Sequence, residues 1–190
     1  SYSFADCTGL RSVDIPEGFE KLNNYTFNGC TGLTEVKLPN SLATVNSYAF
    51  GECTGLTEVH LPDSITSISG RAFYNCTNLS KVNIPMSWTS TPDYYRNSTD
   101  YYSDGASYYT SPFEGCTKLK SVVIPEGMAK VPEYAFRNLT ALKTVSLPST
   151  LTHISWYAFM GCSGLTEVDL PATLVGMGSY AFADCTGLRS

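Results

Sequence analysis

The groups with which this chain of 190 residues could do chemistry are few: seven cysteines, two histidines and 17 acidic side chains. A metal centre needs ligands that converge on a point, and acid–base or nucleophilic catalysis needs paired groups within hydrogen-bond reach. Cys7, Cys30, Cys53 and Cys76 instead follow one another every 23 residues, and Cys116, Cys162 and Cys185 continue the series after one interruption, with Leu139 taking one turn in the same phase. Equivalent side chains in a stacked repeat point the same way. Such a line gives poor disulfide geometry and no convergence for a metal. Leu139 shows that the position asks for a medium apolar group, which a buried free thiol supplies; disulfides between adjacent rungs, or a metal, are the alternatives.

His60 and His153 occupy different phases three repeats apart. At ~4.8 Å per strand they lie roughly 14 Å or more from each other and can share neither a metal nor a triad. His60 projects from a strand face, as a solvated side chain or as a ligand contact. Glu35 and Glu58 share a phase with Lys37 and Lys81 adjacent, and solvated cross-strand pairing accounts for them. The sequence holds no phosphate-binding glycine loop, nucleophile elbow or zinc signature. The expectation is therefore a non-enzyme with no cofactor and no metal.

Composition narrows the partners. A net charge of −5 with only 12 Lys and Arg argues against nucleic acid. No apolar run is long enough to span a bilayer, so direct membrane insertion is not expected. Neither an initiator Met nor a targeting segment is present, which reads as a mature region or an excised fragment.

The spacing that aligns the cysteines governs the whole chain. Eight of the nine Phe residues fall in one phase, at Phe4, Phe27, Phe50, Phe73, Phe113, Phe136, Phe159 and Phe182. The opening SYSFADCTGLRS returns as the closing SYAFADCTGLRS. Self-similarity at such a period is the mark of a solenoid. Leu33, Val36 and Leu38 alternate as a short strand with one buried face, and Pro39 stops it. Leu42 and Val45 follow, then a Y-A-F-x-x-C segment short enough for one or two helical turns. Strands must then lie in parallel, joined by right-handed crossovers. Eight rungs would make a curved rod of roughly 35 to 40 Å, a single domain over residues 1–190 with an insertion at about 86–112.

The composite L-x-x-V-x-L-P-x-x-L-x-x-[IV]-x-x-Y-A-F-x-x-C resembles the BspA-like, or Treponema-type, leucine-rich repeats over the whole chain apart from the insertion. The resemblance implies a right-handed leucine-rich-repeat horseshoe with a parallel β-sheet on one face and short helical or irregular segments on the other. It also implies an extracellular or cell-surface protein, bacterial or protozoan, that adheres to a host or matrix protein or glycan. It brings no catalytic residue. A structural spacer, or an accessory repeat region of a larger surface protein or enzyme, is the alternative.

Between Pro85 and Phe113 lie 27 residues where other units have ten, and six of the 13 tyrosines are here: Tyr94, Tyr95, Tyr101, Tyr102, Tyr108 and Tyr109. Asp104-Gly105 is a two-residue hairpin signal that would set Tyr101 opposite Tyr108. Tyrosine with Ser, Asp and Gly is the composition of binding paratopes, although a polar excursion packed on the solenoid's own rim would read the same way. The six tyrosines, with Trp88 at the base, form the first set of candidate ligand contacts. Lys37, His60 and Asn83 on the strand face form the second. Both ends expose Phe, Cys and Leu of an incomplete unit, so end-to-end self-association is expected.

Overall fold

The computed structural model describes residues 1–92 and 110–189, and their chain winds as a parallel β-solenoid. Most repeats contribute two short strands, so the rungs build two strand columns rather than one. The first column holds β1 (Ser12–Asp14), β3 (Glu35–Lys37), β5 (Glu58–Val59), β7 (Lys81–Val82), β8 (Ser121–Val123) and β10 (Thr144–Ser146). In the second stand β2 (Lys21–Leu22), β4 (Thr44–Val45), β6 (Ser67–Ile68), β9 (Lys130–Val131), β11 (His153–Ile154) and β12 (Gly176–Met177). Register follows the repeat: Val13 pairs Val36, Val59 pairs Val82, Val122 pairs Val145, and Lys21, Thr44 and Ser67 stand in line. The second column arises because Val45 and its equivalents alternate with polar neighbours and bury one face, the same rule that makes the first.

The helical turns expected for Y-A-F-x-x-C do not form; the described residues contain no helix. Two residues of each typical repeat hold the left-handed conformation there, which ends a right-handed helix before it can propagate. One is the tyrosine: Tyr25, Tyr48, Tyr134, Tyr157 and Tyr180 have φ between 56° and 61°. The other precedes the cysteine phase, as in Glu52, Asn75 and Asn138 (φ 58°, 52° and 59°), or as glycine in Gly29 and Gly161. A bulky residue at positive φ is costly, and hydrogen bonds between rungs offset that cost. Phe27 N donates to Ala49 O, Phe50 N to Ala72 O and Phe136 N to Ala158 O, each at 2.8 Å.

Inside, the Phe rings stack into one column, with centroids 5.1 to 5.5 Å apart at every step except Phe113 to Phe136, which is 6.3 Å. Beside them the thiols form a second line. Cys53, Cys76 and Cys162 donate to the carbonyls of Phe27, Phe50 and Phe136 at 3.0 to 3.1 Å. All seven cysteines are free; six are buried, and Cys7 on the first rung is exposed. The column survives the insertion, because Phe73 N donates to Pro112 O at 2.8 Å and the Cys116 thiol to Phe73 O at 3.3 Å.

The first strand column is not one sheet. Ladders join β1 to β3, β5 to β7, and β8 to β10. Between β3 and β5 the strands lie side by side without a ladder. Between β7 and β8 the column opens.

Phe50 and Phe136 are fully buried, so truncating either to Ala should cost about 3 to 5 kcal/mol. Ser146→Ala, on the exposed side of β10, should cost under about 0.5 kcal/mol. Urea unfolding measures both; equal losses would contradict the assignment of the Phe phase to the core.

Candidate functional site

The opening between β7 and β8 is a groove of about 410 Å³. Glu58, His60, Lys81 and Asn83 line one wall, and Ser121, Val123 and Pro125 the other. The core beside it departs from the repeat, at the Phe113–Phe136 step under the paired strands β8 and β10. Trp88 sits three residues after Pro85, as Leu42 sits after Pro39 and Leu151 after Pro148, so it takes a leucine's place in the stack with a larger side chain. The indole stands edge-on to the rings of both Phe113 and Phe136, at 6.4 and 5.9 Å, and these two rings make the widest step of the column. Trp88 is 1% exposed and donates its Nε1 hydrogen to Ser90 O at 2.8 Å. As a candidate ligand contact it is therefore corrected to a core residue that supports the rung from which the insertion departs.

The strand-face candidates divide. His60 is exposed on the groove wall. Asn83 lines the same wall, but its amide is committed: it accepts from Leu61 N and donates to Leu61 O, both at 2.7 Å. In effect its side chain extends the β5–β7 ladder by one step and stiffens that wall. Lys37 stands away from the groove, in an ion pair of 2.9 Å with Asp14, its register partner on β1. Lys81 and Glu58, likewise in register, approach to 3.8 Å. Such exposed pairs keep the strand face nearly neutral and contribute little to stability. Tyr94, Tyr95, Tyr101, Tyr102, Tyr108 and Tyr109 lie outside the described residues.

One feature near the insertion escaped the sequence reading. The left-handed tyrosines stack in an outer column, Tyr2 on Tyr25 on Tyr48 and Tyr134 on Tyr157 on Tyr180, with centroids 4.7 to 5.2 Å apart. At the two rungs flanking the insertion the tyrosine is replaced by Arg71 and Ser111. Arg71 Nε donates to Glu114 Oε2 at 2.8 Å, Nη1 donates to the Tyr48 hydroxyl at 3.1 Å, and the guanidinium lies 5.7 Å from the Tyr74 ring. Desolvation pulls its pKa down, yet the Glu114 carboxylate outweighs that and the group is held above its ordinary value. Arg71 and Glu114 thus clamp the rungs on either side of the insertion. The legible signal was the break in the tyrosine phase at 71.

Burial keeps the Cys53, Cys76 and Cys116 thiols protonated: it pushes Cys53 and Cys116 up to about 12 and Cys76 well above its ordinary value. Among the described residues no three His, Cys, Asp or Glu side chains gather as a metal site.

The repeat architecture and its recurring phase of Phe, Cys, Leu and Pro place the chain. The family model of the BspA type leucine rich repeat region (6 copies) matches residues 1–101 and 107–190. The chain belongs to the BspA-type leucine-rich repeat family. Among solved structures, this BspA-type chain is similar to the T. pallidum leucine rich repeat protein TpLRR, with 28% identity and a TM-score of 0.71 over 94% of this chain and 78% of that one. A leucine-rich repeat protein from Eubacterium ventriosum shares the fold at 24% identity and a TM-score of 0.67; 93% of this chain is covered, and it spans 42% of that one. The comparison with curated proteins gives no match. BspA-type repeat regions are generally scaffolds for protein binding rather than catalysts.

The thiols give a pH dependence. The folded pKa of Cys53 and of Cys116 lies above the ordinary 9.0, so below pH about 9 both states keep these protons and their contribution to stability is complete. Between about 9 and 12 the unfolded chain releases protons that the folded chain retains, and stability falls. A Cys53→Ala, Cys116→Ala variant should lose less of its urea midpoint across this window than the parent; equal loss would contradict the assignment. At pH 8 one thiol, Cys7, should react rapidly with Ellman's reagent and the other six only on unfolding.

Proposed function

We propose that this chain is a non-enzymatic recognition module of a bacterial cell-surface or secreted protein, holding a protein or glycan of a host cell or its matrix. The observation that carries the reading is the coincidence, in one repeat, of a long tyrosine-rich insertion and an opening in the strand column. A scaffold that only spaced other domains apart would gain nothing from either, whereas the groove offers a recess and the insertion offers large aromatic side chains at little entropic cost. Tyr101, Tyr102, Tyr108 and Tyr109 are the proposed principal contacts, with Tyr94 and Tyr95 beside them and His60 on the groove wall. Sugars and protein hot spots both suit aromatic faces, so the ligand class is a matter for a screen.

The exposed apolar groups on the outermost rungs support a second, weaker association. Phe4 and Phe19 are half exposed at one end, as are Leu170 and Met177 at the other. The proposed consequence is end-to-end contact between copies of this chain at high concentration.

A screen of immobilised host-matrix proteins and glycans against this chain tests the main reading. Saturable binding is expected. Replacing residues 86–112 with the ten residues 63–72 puts Ile65 in the place of Trp88 and removes the insertion. That variant should fold with equal or higher stability and bind the screened ligand at least tenfold more weakly. A folded variant with unaltered affinity would show that the ligand sits elsewhere.

A further inference from the structure

The seam between β7 and β8 has two walls made of strand edges. At the laddered steps of the column these edges are closed by a fixed set of bonds, which the closely spaced β3 and β5 also lack. Lys143 N and Thr144 N both donate to Lys120 O, at 2.7 and 3.3 Å, and Ile124 N donates to Ser146 O at 2.9 Å. Ser80 N and Lys81 N donate in the same way to Thr57 O, at 3.0 and 3.3 Å. The equivalent groups at the seam are Lys120 N, Ser121 N and Ser80 O at one end and Ile84 N and Val123 O at the other. Among the described residues no backbone hydrogen bond crosses between 80–84 and 120–124. An unpaired strand edge is a template for another strand, and here two such edges line one groove.

We propose that the seam receives an extended peptide segment of a partner protein, which adds a strand between β7 and β8. The proposal rests on the recognition function above and names its mode and partner class. The chemistry of the walls selects the occupant. Backbone donors and acceptors repeat along a strand at ~3.3 Å per residue, and another extended backbone carries the complementary groups at that period; sugar hydroxyls do not. Charge adds little selection, because Glu58 and Lys81 offset each other on one rim.

Side-chain preference follows from the walls. Val82 and Val122 occupy the inward phase on either side, and Val82 is only half buried while Val59, its partner across the closed ladder, is 2% exposed. A guest strand would turn an apolar, β-branched residue inward beside Val82. Polar residues would face outward beside Lys81, Ser121 and Val123, giving the alternation of this chain's own strands. Main-chain bonds would supply affinity and the alternate pockets the specificity, as in other strand additions.

The test uses the whole chain and a labelled, capped octapeptide of alternating Thr and Val with a Lys at each end, followed by fluorescence anisotropy. Two changes separate main-chain pairing from adhesion by charge. In a second peptide the alternate amides are N-methylated, which keeps charge and side chains and removes the donors. In the protein, Ser121→Trp fills the groove from an exposed strand position. Saturable binding of the first peptide, weakened at least tenfold by each change, is the expected result. Absence of saturable binding up to millimolar peptide, or equal affinity for the N-methylated peptide, overturns the proposal whether or not the tryptophan variant folds. The two readings fail differently: a ligand from the screen that binds Ser121→Trp as tightly as the parent removes strand addition and leaves recognition standing, whereas no ligand for either protein removes recognition itself.

Discussion

Ring-on-ring stacking of the phenylalanine column sets the pitch to which every other part of the chain conforms. With a Phe every repeat at centroid spacings of 5.1 to 5.5 Å, the rungs fall within reach of strand pairing at ~4.8 Å. The thiols then reach the Phe carbonyls one rung back, and both strand columns come into register. The left-handed tyrosines belong to the same constraint. Each costs backbone energy alone, and each before the last rung is held because the amides around it bond to the next rung. In such a stack a residue's neighbours are its equivalents, so stability is a sum over adjacent rungs.

One large residue departs from this repeat in the core. Trp88 has the sequence position of a core leucine and the volume of an indole, and it stands edge-on between Phe113 and Phe136 where the column is widest. On the Cys side the rungs remain joined through Phe73, Pro112 and Cys116. On the strand side β7 and β8 part, whereas the strands over the wider Phe113–Phe136 step, β8 and β10, stay paired. The Arg71–Glu114 ion pair holds the outer edge shut across the insertion. Continuous core, clamped rim and open strand face together make a local recess without loss of the solenoid.

Much of this was legible in the sequence because the repeat reports burial directly. The Phe phase, the inert Cys line and the strand centred on Val all follow from spacing, and Leu139 alone was enough to show what the cysteine position needs. The second strand column and the missing helices were harder to read. Gly29, Gly115 and Gly161 alternating with Asp6, Glu52, Asn75 and Asn138 in one phase is a left-handed signal in hindsight, since Gly, Asn and Asp favour that region, but tyrosine at positive φ gives no compositional warning. Trp88 was legible from its distance to Pro85 and was misjudged through its proximity to the insertion. The Asn83 amide on Leu61 and the parting of β7 from β8 depend on distances between rungs, which no spacing within a rung contains.

The central claim, an open seam between two closed ladders, can be measured in the unliganded chain by residue-resolved native-state amide hydrogen exchange. The account predicts strong protection at Phe27, Phe50, Phe136 and Phe159 and at Lys143 and Thr144, with rapid exchange at Ile84, Lys120 and Ser121 between them. Protection of Lys120 and Ser121 equal to that of Lys143 and Thr144 would show that β7 and β8 are paired in solution and would contradict it.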